Sequence, residues 1–112
     1  MKRELPPGYR EQLELGYVFG STLTFAQRPL VPDTQMLADW QPDVAIIGAP
    51  FDLGTTNRPG ARFGPRGIRN NAYEPGTYHL DLGIEIFEHL EVVDAGDAYC
   101  PHGMVDASLD NV

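Results

Sequence analysis

Residues 48–69 (GAPFDLGTTNRPGARFGPRGIR) are the stretch whose residue types and spacing best suit chemistry. The stretch holds five of the twelve glycines and four of the eight Lys and Arg residues, and no carboxylate occurs from residue 53 to residue 73. It follows an apolar run typical of a strand, and ligands of open α/β sheets bind outside the carboxyl ends of the strands. Two interpretations stay open: a ligand-binding loop, or a tight turn whose arginines cap and pair with acidic neighbours.

Other side chains are of types that bind metals or attack substrates. No pair of them has a spacing specific to a metal site, so we assign no metal ligand. Cys100 lies in no nucleophile motif, and a buried or bystander thiol is the simpler interpretation. The glycines at 54, 60, 64 and 67 fit neither the P-loop nor the dinucleotide-binding pattern, which disfavours a nucleotide-phosphate site. The pairs considered for a metal are His79 with Asp81, Asp94 with Asp97, and His102 with Asp106.

The composition predicts one small cytoplasmic domain. The 112 residues suffice for a single core, and 42% hydrophobic residues argue against disorder. A net charge of −8 argues against nucleic-acid and membrane-surface partners, and the single cysteine suits a reducing compartment. No apolar run approaches the length of a membrane helix, and the N-terminus lacks the apolar core of a signal peptide. After Arg69 the chain has nine acids and no Lys or Arg, so this part must face solvent, a basic surface or cations.

Residues 1–42 are predicted to form an irregular arm, because proline and glycine interrupt them often. Within the arm, residues 9–16 suit one or two helical turns, and the apolar residues 17–25 suit docking on a core or on another subunit. A short helix is predicted from Asp33, its N-cap, to Trp40, with Met36 and Leu37 on the face that Trp40 shares.

Residues 43–112 predict a β-α-β unit with a parallel sheet. Residues 44–47 are four consecutive apolar residues, which favour a strand buried on both faces. Pro65 suits a helix start. Apolar and polar residues alternate weakly over residues 77–82, which could form a short strand. Residues 90–94 predict a second main strand that turns at 95–97. Asp106 is the predicted cap of a last helix. Two or three strands make a poor independent sheet, so the sequence indicates the head of a larger α/β domain.

These motifs resemble the agmatinase-like branch of the ureohydrolase (arginase/agmatinase) family. Residues 48–69 are similar to that family's first strand, loop and helix. The segment LEVVDAGDA is similar to its next strand, which ends in Asp-x-Gly-Asp, and GSTLTFAQRPL resembles its N-terminal arm. The resemblance runs from about Gly20 to Ala98.

The resemblance implies a three-layer α/β/α fold with a mostly parallel sheet, of which this chain is the N-terminal part. Residues 1–42 would be a wrapping or oligomer-contact arm, and residues 43–112 the first, incomplete β-α-β portion. It also implies hydrolysis of a linear C–N bond in a small guanidino compound, with release of urea or an analogue. The expected cofactors are two Mn²⁺ ions, or Ni²⁺ in some relatives, and the expected assembly is a homo- or hetero-oligomer, a trimer or hexamer.

The sequence departs from the family in its metal motifs. The patterns G-G-D-H, D-A-H-x-D and D-x-D-x-x-D-P do not occur in these 112 residues. We therefore assign no catalytic residue and no metal ligand, and we expect these residues alone to be inactive and poorly folded. The alternative hypothesis is a truncated, non-catalytic companion that binds a full-length paralogue.

Thr55, Thr56 and Asn57 are the candidate substrate-side residues of the loop. A guanidinium substrate is a planar cation, so its pocket needs carboxylates, hydroxyls and carbonyls rather than arginines. These three residues are polar and uncharged, and we predict that they line the substrate entrance, with a structural role as the alternative. The arginines are expected to tie the loop to acidic neighbours, including the acid-rich part of the chain.

Overall fold

The computed structural model describes residues 22–71 and 77–112. No helix in these two ranges has the length and apolar character needed to cross a bilayer. Short 3-10 turns occur at Phe25–Gln27 and Ala61–Phe63. The helices and strands, in chain order, are α1 (Thr34–Trp40), β1 (Val44–Gly48), α2 (Gly64–Asn71), β2 (Tyr78–His79), β3 (Ile84–Glu85), α3 (Ile86–His89), β4 (Val92–Asp97) and α4 (Val105–Asn111).

Strands β1 and β4 pair in parallel, which confirms the predicted β-α-β unit. Val44 lies opposite Val92 and the register is regular as far as Ile46, after which it shifts so that Gly48 lies opposite Asp97. The predicted turn at residues 95–97 is wrong, because β4 continues through Asp97. The backbone explains this extension, since the N–H of Ala98 donates to the carbonyl of Gly48 at 2.8 Å.

The end of the predicted arm lies along the other edge of β4. The N–H of Val31 donates to the carbonyl of Asp94 at 2.8 Å, and the N–H of Asp94 donates to the carbonyl of Pro29 at 2.9 Å. Leu30 thereby forms a parallel bridge with Asp94, and β4 lies between the arm and β1. The helical turns predicted at 9–16, and residues 17–21 of the docking segment 17–25, lie outside the described residues.

Helix α1 begins where the sequence predicts it. The Asp33 carboxylate accepts hydrogen bonds from the N–H groups of Gln35 and Met36 at 2.7 and 3.1 Å, which confirms its role as N-cap. The apolar face of the helix brings Trp40 against buried Val31 and Val93, with Met36 and Leu37 packed around them. This cluster is the core of the described structure, and it fastens the arm to β4.

The other predicted elements are confirmed only in part. Helix α2 begins at Gly64, next to the predicted Pro65. The weak strand at 77–82 shortens to β2, which pairs antiparallel with β3, and neither β3 nor α3 was predicted. Asp106 does not cap α4: the cap position belongs to Met104, and Asp106 lies in the first turn.

Strand β1 is not buried on both faces within the described residues, as expected if its cover comes from the rest of a larger α/β domain. Val44 and Ile47 are 38% and 63% exposed, and in β1 only Gly48 is buried, whereas Val92, Val93 and Asp94 of β4 are all buried. Among the described residues, helix α1 packs against Val31 and Val93, and the side chains of Val44 and Ile47 in β1 are left exposed. The apolar run predicts the strand correctly, but burial depends on which elements lie beside it.

Gly48 lies where no side chain fits, and we predict that Gly48→Ala destabilises the protein by about 1–3 kcal/mol. A Cβ there would collide with the Asp97 carboxylate and lie 2.8 Å from the Cβ of Pro65, so β4 or α2 would have to move. Urea unfolding of the complete protein measures the change. The matched control is Gly54→Ala: a Cβ at Gly54 meets nothing within 4 Å, so a change of less than about 0.5 kcal/mol is expected. Equal stability of the two variants would contradict the prediction.

Candidate functional site

Asp94 is a fully buried carboxylate at the centre of the described structure, with an exposed fraction of 0%. Its Oδ2 accepts from Nε of Arg69 at 2.7 Å and from the N–H of Phe25 at 2.6 Å. Its Oδ1 accepts from Nη2 of Arg69 at 2.9 Å and from the N–H of Gly96 at 2.8 Å. Because these donors belong to α2, the arm and β4, the carboxylate joins three parts of the fold.

Arg69 makes two further contacts beyond Asp94. Its Nη1 donates to Oδ1 of Asp97 at 2.6 Å, and its Nη2 donates to the carbonyl of Gly96 at 2.9 Å. The guanidinium therefore binds the end of β4 through three neighbouring residues. This confirms for Arg69 the prediction that the arginines of residues 48–69 tie that stretch to the acid-rich part of the chain.

The Arg69–Asp94 contact keeps both groups charged. Burial by itself would raise the pKa of Asp94, but the hydrogen bonds from Arg69, Phe25 and Gly96 outweigh it and hold that pKa below its ordinary value of 3.8. The hydrogen bond to Asp94 raises the pKa of Arg69, and burial opposes that rise only in part. The pair is ionised at every pH at which the protein is expected to work.

Asp52 and Arg62 form a second ion pair, which closes the loop after β1. Oδ2 of Asp52 accepts from the N–H groups of Gly60 and Arg62 at 2.7 and 3.2 Å. Oδ1 accepts from Nε and Nη2 of Arg62 at 2.7 and 2.6 Å. Burial raises the pKa of Asp52, and these hydrogen bonds lower it further than burial raises it. We assigned Asp52 no role from the sequence. Its position could have indicated one, because it is the last carboxylate before residues 53–73, which contain none.

The candidate substrate-side residues lie at the exposed part of this closed loop. Thr55, Thr56 and Asn57 are all exposed. The Thr55 hydroxyl donates to the carbonyl of Asp52 at 2.6 Å, and the Thr55 N–H donates to the same oxygen at 3.2 Å. Thr55 thus stabilises the turn itself, while Thr56 and Asn57 follow it at the surface. Their predicted contact with substrate stays a prediction.

An open groove of about 240 Å³ lies between the loop after β1 and the loop after β4. Residues 50–53 and 62–63 form one wall, and residues 100–102 form the other. Because β1 and β4 are parallel neighbours, both loops leave the sheet at the same edge, which is where ligands of α/β folds bind. The groove therefore brings Cys100 and His102 close to the Asp52–Arg62 pair, a juxtaposition that the sequence did not predict.

The residues considered for a metal do not assemble into a site in the described ranges. Residues 22–71 and 77–112 contain no cluster of three or more His, Cys, Asp and Glu side chains that could hold a metal ion. Asp94 and Asp97 both bind Arg69. Nδ1 of His79 accepts from the N–H of Leu82 at 3.3 Å within the β2–β3 hairpin.

Both ion pairs and the groove lie in the part of the chain that matches a known protein family. Residues 42–112 match the profile of the arginase family. The chain is 53% identical over 55 residues to the mitochondrial guanidino acid hydrolase of Homo sapiens. This alignment covers 49% of the chain and 16% of the human protein. It is 38% identical over 79 residues to the guanidinobutyrase of Pseudomonas aeruginosa, covering 70% of this chain and 24% of that enzyme.

A solved structure shows the same architecture. The proclavaminate amidinohydrolase of Streptomyces clavuligerus superposes with a TM-score of 0.68 and 36% identity, covering 82% of this chain and 29% of that one. The chain spans less than a third of the length of each of these relatives.

We predict that Arg69→Ala destabilises the complete protein by about 3–5 kcal/mol, because it leaves the Asp94 carboxylate buried without a positively charged partner. The control is Arg66→Ala on the same helix, where the side chain is exposed and less than about 0.5 kcal/mol is expected. Urea unfolding monitored by circular dichroism compares the two variants. A small effect of Arg69→Ala would show that Asp94 is satisfied by its backbone donors alone.

The same pair makes stability depend on pH. The pKa of Asp94 is lower in the folded than in the unfolded state, so its contribution is complete above the unfolded value near 3.8 and is lost as pH falls through the folded value. We expect the free energy of unfolding to decrease below about pH 4. Urea unfolding at a series of pH values measures it, and Asp94→Asn should flatten the decrease. An unchanged slope in that variant would assign the acid sensitivity to other carboxylates.

Proposed function

This chain belongs to the arginase family and has its α/β fold, and we propose that it forms the N-terminal part of a hydrolase of small guanidino compounds. The observation that carries the proposal is the match of residues 42–112 to the family. Relatives that match the chain are named for hydrolysis of guanidino acids, guanidinobutyrate and proclavaminate. In the proposed reaction, water adds to the guanidino carbon, the linear C–N bond breaks, and urea or an analogue leaves together with an amine.

The metal requirement of this reaction is also a proposal. A pair of Mn²⁺ or Ni²⁺ ions would supply a hydroxide nucleophile at neutral pH. The described residues do not fit such a pair, because they gather no three ligating side chains. We therefore assign this chain no metal ligand and no part in activating water.

The contribution we propose for these residues is to shape and hold the substrate entrance. The Asp52–Arg62 pair closes the loop, and the Arg69–Asp94 pair fastens the following helix to β4. The Arg69–Asp94 pair uses the charge of Arg69 within the protein, so Arg69 does not repel a guanidinium. Thr56 and Asn57, at the exposed part of the loop, would then offer uncharged hydrogen-bonding groups to the substrate, with Thr55 holding the turn.

We further propose that the protein works in the cytoplasm as a trimer or hexamer, homo- or hetero-oligomeric. The exposure of Val44 and Ile47 favours a second candidate as well, in which the chain is a non-catalytic companion of a full-length paralogue. In both cases β1 requires cover from chain that the described residues do not supply. The two candidates differ in whether the purified protein turns over substrate.

The proposed function predicts urea release by the complete natural protein that contains these residues. The assay compares agmatine, 4-guanidinobutyrate and guanidine, each with Mn²⁺ and with Ni²⁺. In the same assay, Thr56→Ala with Asn57→Ala should raise KM about fivefold to tenfold through lost hydrogen bonds. The control Gln35→Ala changes an exposed amide on α1 and should leave KM unchanged. Absence of urea with every compound and metal would reject the hydrolase and favour the companion subunit.

A further inference from the structure

The groove between the loops after β1 and β4 presents positive rather than negative charge. Asp52 and Arg62 both line it, but their side chains are 1% and 31% exposed, respectively. The Asp52 oxygens accept from the N–H of Gly60, the N–H of Arg62 and the Arg62 guanidinium. Of the two side chains in this ion pair, only that of Arg62 is therefore accessible to a ligand.

Arg62 has hydrogen-bonding capacity left for such a ligand. It donates to Asp52 through Nε and Nη2, and within the described residues its Nη1 has no protein acceptor. A guanidinium is a preferred partner of carboxylates, because its N–H groups form short, charge-assisted hydrogen bonds with them. The accessible side of the pair thus suits an anionic oxygen.

His102 strengthens this preference from the opposite wall. It is exposed in the turn that follows β4, and an imidazole can donate an N–H in both its neutral and its protonated form. Asp52 is the only Asp or Glu among the described residues that line the groove, and Phe51, Leu53 and Phe63 give it apolar walls. Apolar walls with hydrogen-bond donors suit a short alkyl chain that ends in a carboxylate.

We propose that this groove binds the carboxylate end of a linear guanidino acid, with Arg62 and His102 as its donors. The inference rests on the proposed function and deepens it, because it selects guanidino acids over guanidino amines as the substrate class. A guanidinium would meet no accessible carboxylate in the groove, so the reacting end of the substrate lies outside it. An ammonium tail would lie against like charge and is disfavoured.

The test compares kcat/KM for 4-guanidinobutyrate and for agmatine, two linear guanidino compounds that differ in the charge of their tails. In the complete protein, His102→Glu should lower kcat/KM for 4-guanidinobutyrate about tenfold or more, mainly through KM, and should not lower the value for agmatine. His102→Gln keeps a donor and should change the ratio much less. The control His89→Glu makes the same charge change in α3, before the opposite end of β4, and should leave the ratio unchanged.

Two outcomes overturn the inference while the proposed function stands: an unchanged ratio in His102→Glu, or an equal loss with both substrates. A second measurement needs no turnover. Calorimetry should detect binding of butyrate, which carries the alkyl chain and carboxylate alone, and should show its loss in His102→Glu but not in His89→Glu. If no guanidino compound releases urea, the proposed function fails, but butyrate binding still tests whether the groove is a carboxylate site. The carboxylate site is rejected if butyrate does not bind, or if His102→Glu leaves its binding intact. Unfolding transitions at equal temperatures confirm that the variants are folded.

Discussion

The buried negative charge of Asp94 on β4 is the constraint on which the rest of the described structure depends. An ionised carboxylate removed from water is unfavourable by several kcal/mol unless charged and polar donors surround it. Asp94 obtains those donors from Arg69, from the backbone of Phe25 and from its own strand. Satisfying this one group therefore fixes the position of α2 and of the arm against β4, and the apolar cluster around Trp40 then fills the space beside it.

The chain uses arginine and aspartate together twice, with different results. The Arg69–Asp94 pair is almost entirely buried and has an architectural role, since both partners are occupied by the protein. The Asp52–Arg62 pair is closed on the side of the carboxylate and open on the side of the guanidinium. The same pairing thus holds the fold in one place and, in the other, borders a groove to which it gives a positive surface. Exposure, rather than residue type, separates the two roles.

Local signals in the sequence predicted much of the fold. The N-cap Asp33, the apolar face around Trp40 and the apolar run of β1 each depend on neighbouring residues, and the structure has all three. The arginine contacts to acidic neighbours followed from charge, but their partners could not be identified, because Arg69 and Asp94 meet only after β1 and β4 pair. The same holds for His102, whose place in the groove depends on two loops leaving one edge of a sheet. The apolar run of β1 predicts a strand that needs cover on both faces, but which elements supply that cover depends on chain beyond its own neighbours.

The hydrogen bond between the Phe25 N–H and the Asp94 carboxylate spans 69 residues of sequence, and this has a consequence for synthesis on the ribosome. At roughly 5–20 residues per second, several seconds separate the emergence of the arm from that of its partner strand. During that interval the arm has no docking site, and β1 waits for its parallel neighbour while the 48 residues that follow Val44, up to Val92, are made. Parallel pairing across a long separation is intrinsically slow, so the nascent chain carries unpaired apolar strand until residue 94 has left the exit tunnel. The strand therefore stays exposed for as long as synthesis takes to supply the carboxylate that completes this contact.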